Sequence, residues 1–141
     1  MGASGSLDRN SLYPLSLFSA WALLAIWSAI EPAMPDVWIA EMLPVFGIAG
    51  LLALTYSRFQ FSHTAYTLMS IWLVLHTIGA HYTFANVPFD WFSDLVGSER
   101  NHFDRFAHFS IGFYAFAMAE WVLRKKLCEL PLALCFALFF A

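Results

Sequence analysis

Runs free of Asp, Glu, Lys and Arg dominate this chain, and they recur at lengths that suit helices crossing a bilayer. A hydrocarbon core of about 30 Å needs about 20 apolar residues of helix. The first such run, Asn10 to Ile30, opens with Leu12-Tyr13-Pro14, placing Pro14 in a first helical turn where its missing N–H costs little. Glu31-Pro32 and Pro35-Asp36 form an acidic, helix-breaking connection. The second run, Met42 to Ser57, is short, so its helix borrows Ile39-Ala40 or sits where a neighbour shields Glu41. The third, Phe59 to Phe89, is too long for one crossing and is divided by Gly79 and Pro88. A fourth follows Phe103, and a fifth starts at Leu127 and is still apolar at Ala141. The pattern predicts helices over 11–30, 42–57, 62–80, 103–123 and 127–141.

These elements make an all-α fold: a polytopic transmembrane helical bundle, one domain over 1–141, with four complete crossings and the start of a fifth. Fifteen residues of helix reach only about 22 Å, so the chain is expected to be a C-terminally truncated piece of a longer protein. Composition agrees with the membrane reading. The chain is 60% hydrophobic and 12% charged, against about 25% charged in soluble domains. With 7 Lys+Arg against 10 Asp+Glu there is no basic excess for a nucleic-acid backbone, and the aromatic content excludes disorder. Membrane lipids are the expected partners.

The placement of the charges sets an orientation. Arg9, Arg58, Arg124, Lys125 and Lys126 fall on one side, Arg100 and Arg105 on the other. The richer side, with the N-terminus, is expected to be cytoplasmic. Trp38, Tyr82 and Trp91 then mark the outer interface, and Tyr13, Tyr56 and Trp121 the inner one. Met1-Gly2 with Ser6 fits a myristoylation pattern, but one weak lipid anchor adds nothing to several crossings. A cleaved signal peptide is disfavoured by the length of the first apolar run.

Ionisable groups within membrane segments are costly and need a partner or a task. The densest set is Arg100-Asn101-His102-Phe103-Asp104-Arg105, with His108 one turn on. Asp104, His108, Gly112, Ala115 and Ala119 fall within an arc of about 80° on a helix. Small residues favour close helix approach, so this stripe is expected to face the bundle and carry Asp104 and His108 inward. A second set, His76 to Thr83, ends the third helix at matching depth. His76, His81, Asp104 and His108 are thus expected to cluster near the outer face, with Glu31 and Glu41 in reach.

Several chemistries suit such a cluster. His76, His81, Asp104 and His108 could ligate a divalent metal such as zinc. Asp104, His108 and Arg105 could act in catalysis, with Arg100, Asn101 and Arg105 gripping an anionic or lipid-linked headgroup. The same residues could relay protons or serve a small transporter. The plainest alternative is a non-enzymatic latch fastening the third helix to the fourth. Elsewhere, Glu120 and Arg124 suit an i,i+4 pair, His63 a solvated helix end, and Cys128 with Cys135 a packing face.

The blocks His76-x-x-Gly79-x-His81-Tyr82-Thr83-Phe84-x-x-Val87-Pro88 and Arg100-Asn101-His102-Phe103-Asp104-Arg105-x-x-His108-Phe109-x-x-Gly112 resemble the YjdF-type bacterial inner-membrane proteins. That resemblance implies a bacterial inner-membrane location and further membrane segments with acidic residues beyond Ala141; it implies no known reaction. The step Asp104-Arg105-x-x-His108 is also similar to the Asp-Lys-x-x-His step of VanZ-like membrane proteins, which implies envelope or headgroup chemistry.

Overall fold

The computed structural model describes residues 9–98, 100–127 and 131. Among them, backbone polar groups are satisfied within helices, as an apolar solvent demands, and no strand occurs. The order is α1 (Arg9–Ser28), α2 (Pro35–Thr55), α3 (His63–Tyr82), the short α4 (Asp90–Val96), α5 (Phe103–Ser110), a 3₁₀ turn (Ile111–Phe113) and α6 (Tyr114–Arg124).

Two boundaries correct the sequence reading. Because α1 starts at Arg9, Pro14 lies inside the helix rather than in its first turn. Helix α2 starts at Pro35, seven residues before the expected 42, with Pro35 at its first position and Asp36 in its first turn. Proline there needs no N–H partner, and the carboxylate favours the positive end of the helix. Glu41 therefore sits within a helix, not in a loop. The segment 80–100, read as a connection, contains α4, whose end is set by Gly97 in the left-handed region (φ 65°). Of the expected fifth helix, 127–141, only Leu127 and Pro131 are described; Cys128 and Cys135 lie outside the described residues.

Among the described residues, three stretches are long and apolar enough to cross a membrane: Ser11–Ser28, Pro35–Thr55 and Phe103–Arg124, the last being α5, the 3₁₀ turn and α6 together. Helix α3 is as long as α1 but, with His63, His76 and His81, falls short of that apolarity, and its position accounts for those groups. It packs against α1, α2, α5 and α6, so its polar groups meet protein. The Tyr13 hydroxyl hydrogen-bonds Thr67 at 2.6 Å, Trp21 Nε1 donates to Thr77 at 3.1 Å, and His81 Nδ1 meets the Ser28 carbonyl at 3.0 Å. The sequence separations of these contacts stay between 53 and 56 along the helix, so α1 and α3 run parallel over their full length. Against α6 the separation falls from 58 at Ser62–Glu120 to 45 at Met69–Tyr114, the signature of an antiparallel pair.

One core joins Trp21, Met42, Val45 and Trp72 across α1, α2 and α3; another joins Ala65, Tyr66, Met69 and Ala117 between α3 and α6. At the far end Val87, Phe103 and Ala107 pack with Phe84. Leu23, Leu43, Leu54 and Phe109 point outward, which suits a lipid solvent. The end carrying Arg58, Arg124 and Lys125 is fastened by Glu120: it accepts from the Ser62 backbone N–H at 2.8 Å, the Ser62 hydroxyl at 2.7 Å and Arg124 at 2.9 Å. The expected Glu120–Arg124 pair is thus present, and Arg124 also lies over the Phe59 ring.

Candidate functional site

The opposite end of the bundle holds the imidazole-rich blocks, and the backbone at the close of α3 organises them. Thr83 and Phe84 both take left-handed conformations (φ 65° and 46°), which cost energy for side-chain-bearing residues. They are held there because both N–H groups donate to the Gly79 carbonyl, closing the helix. The chain then doubles back, and the Phe84 ring lands on Gly79. A Cβ at that glycine would lie 2.4 Å from a ring carbon, so only glycine admits the ring.

Phe84 stands between two acid–imidazole pairs. On one side its ring meets His76 edge-on at 5.0 Å; on the other it stacks with His108 at 6.1 Å and 15°. His76, buried, places Nε2 3.1 Å from Glu41 Oε2, a bond from α3 to α2. His108 places Nε2 3.1 Å from Asp104 Oδ1 within α5. The second pair is far more open, with side-chain exposures of 70% and 43% against 11% and 39% for His76 and Glu41.

The expected inward stripe is therefore corrected. The buried face of α5 is Phe103, Ala107 and Ser110, so Asp104 and His108 flank it. The stripe was projected at a constant helical pitch, whereas the 3₁₀ turn at Ile111–Phe113 overwinds the helix and breaks the alignment with Ala115 and Ala119.

Nor do His76, His81, Asp104 and His108 converge on one point. Phe84 separates the two pairs, and His81 faces α1, where its Nδ1–H donates to the Ser28 carbonyl and its ring packs on Trp27 at 4.4 Å. Five residues on from His76, it is rotated about 140° around the helix. Among the described residues no three metal-ligating side chains come together. Glu31, in the first turn with φ 48°, has no ion pair there among the described residues.

Asn101, expected at a headgroup, is engaged by backbone. Its amide donates to the carbonyls of Ala85 (3.0 Å) and Val87 (2.6 Å), while its oxygen accepts from the Phe103 N–H (2.9 Å). It ties the returning loop to the start of α5. Arg100 and Arg105 are exposed, and neither guanidinium makes an ion pair among the described residues. Sequence reasoning did not single out Phe84 or Gly79 as parts of the site. The available signal was the Gly79-to-Phe84 spacing: one glycine just before the helix end, five residues ahead of an aromatic.

The family model described as "Predicted membrane protein (DUF2238)" matches residues 13–141. The chain is also similar to the inner membrane protein YjdF of Escherichia coli (strain K12), with 28% identity over 102 residues, covering 72% of this chain and 49% of that protein. The chain thus spans about half the length of that relative. No solved structure matches.

Proposed function

The chain belongs to the DUF2238 family of predicted membrane proteins, and we propose that it is a multi-pass inner-membrane protein whose Asp104–His108 pair, with Arg105, binds an anionic headgroup. One observation carries this reading. The other polar groups of the region are committed to structure, Glu41–His76 as a latch between α2 and α3, His81 to α1 and Asn101 to the loop, while Asp104–His108 is open. A carboxylate one turn before an imidazole orients the ring. Arg105, exposed beside the pair and without an ion pair among the described residues, is the cation suited to a phosphate or carboxylate.

The test is calorimetric titration of the full-length protein in detergent with glycerol 3-phosphate. His108→Gln and Arg105→Gln should each weaken binding about tenfold, the loss of one charge-assisted hydrogen bond, with thermal stability unchanged. Binding that survives both substitutions would refute the site.

We also infer that α3 crosses the membrane as a fourth span, because it runs parallel to α1 over its length and reaches both ends of the bundle. Its polarity is then matched by neighbouring helices rather than exposed to lipid. Cysteines placed at Ser57 and Asp94, in a chain lacking Cys128 and Cys135, should react with impermeant maleimide from opposite sides of the membrane. Labelling of both from one side would contradict the fourth crossing. With Arg58, Arg124 and Lys125 at one end, that end is read as cytoplasmic.

A further inference from the structure

Helix α4 ends in a turn that holds one hydroxyl against one imidazole. Gly97 takes a left-handed conformation (φ 65°), and the Ser98 N–H closes the helix by donating to the Ser93 carbonyl at 2.9 Å. The buried Ser93 hydroxyl donates in turn to the Arg100 carbonyl at 3.0 Å, so the loop is pinned on both sides of Ser98. Ser98 Oγ accepts from the Arg100 N–H at 3.2 Å and lies 2.9 Å from His102 Nε2. With that N–H on one side, the hydroxyl hydrogen is directed to Nε2, which makes this nitrogen the acceptor and leaves the ring hydrogen on Nδ1. His102 stands at the start of α5, its ring edge-on to Phe92 at 6.2 Å. Both side chains are part-exposed, so Ser98 is open to a molecule from outside. A hydroxyl within hydrogen-bond reach of an accepting imidazole nitrogen is the arrangement of an activated nucleophile.

We propose that Ser98 is a nucleophile for acyl transfer, with His102 as its general base, acting on carboxylic esters that carry an apolar acyl group. As Ser98 Oγ bonds to the acyl carbon, its proton passes to His102 Nε2; the carbon–oxygen bond of the ester then breaks, and the departing alcohol takes that proton. Water reverses the exchange. Nε2 removes a proton from it, the hydroxide bonds to the acyl carbon, and Ser98 Oγ recovers a proton as the carboxylic acid departs. An ester suits the pair because its leaving alcohol needs only the one proton that His102 holds, and its acyl carbon brings no charge for a cation to neutralise. Leu95 and Val96, exposed just ahead of the turn, offer apolar surface to the acyl group. The site is separate from the Asp104–His108 pair: His102 rests on Phe92, whereas His108 stacks on Phe84.

The test uses the full-length protein in detergent with two probes: a fluorophosphonate, which phosphonylates a base-activated serine with release of fluoride, and p-nitrophenyl octanoate. Peptide mapping of wild type should find one adduct, at Ser98, and the ester should be hydrolysed; Ser98→Ala should lose both. His102→Gln, which can still accept from the Ser98 hydroxyl and so keep the loop, should slow both reactions about 100-fold, the lower end of what a positioned base contributes. Absence of an adduct at Ser98 in wild type overturns the proposal. So does labelling of His102→Gln at the wild-type rate, the result expected if the bond only fastens the loop. Should His102→Gln not fold, wild type and Ser98→Ala decide, and equal ester hydrolysis by the two overturns the proposal.

Discussion

Replacing Glu41 with leucine should destabilise the protein by about 2–3 kcal/mol, and replacing His76 as well should recover most of that loss. The two side chains form the one acid–imidazole pair that joins α2 to α3 among the described residues, at 3.1 Å. Breaking a buried pair by removing one partner costs about 3–5 kcal/mol, whereas replacing both with apolar groups is often neutral. The lower figure applies because Glu41 keeps 39% exposure. Leucine at 41 leaves His76 a polar ring packed between Trp72 at 4.8 Å and Phe84 at 5.0 Å with its hydrogen bond gone. Glu41→Gln, which can still hydrogen-bond the ring, should cost less than about 1 kcal/mol. Unfolding in detergent with increasing SDS measures wild type, the two Glu41 variants, the His76 single variant and the double variant. Strictly additive losses in the double variant would mean that the pair does not act as a latch.

That pair also marks how far the sequence could be read. Apolar run length located α1, the later part of α2 and the stretch from α5 to α6, because lipid imposes one simple rule on side chains facing it. It placed the start of α2 too late, because Glu41 counts as a break in hydropathy while His76 neutralises its cost in space. It recognised α3 despite its polarity, yet nothing local says that α3 is central; that follows from long-range bonds such as Trp21 to Thr77. Helix α4 has only seven residues, too few for a periodicity to register. The expected metal cluster contained an error the sequence could have exposed, since His76 and His81 lie about 140° apart on any α-helix. Phe84 was beyond reach for another reason. Its place between His76 and His108 depends on two consecutive left-handed residues, Thr83 and Phe84, neither of them glycine.

A single methyl group at Gly79 should therefore be among the more costly small changes in the molecule. The added Cβ would sit 2.4, 2.5 and 2.9 Å from three carbons of the Phe84 ring, so the ring must leave. Overpacking of this kind costs about 1–3 kcal/mol, even though alanine is favoured over glycine within a helix by about 1 kcal/mol. The ring has no easy retreat: its backbone is fixed by the bond to the Gly79 carbonyl, and Asn101 anchors the residues that follow. The decisive comparison uses Phe84→Ala. With the ring absent, the clash vanishes and only the helix preference remains, so Gly79→Ala should change sign and stabilise the Phe84→Ala protein by up to about 1 kcal/mol. The same cost in both backgrounds would show that the glycine answers to something other than the ring. The site should respond in parallel. His108 loses its stacking partner in Gly79→Ala, so affinity for glycerol 3-phosphate should fall with it, although the substitution touches neither member of the pair.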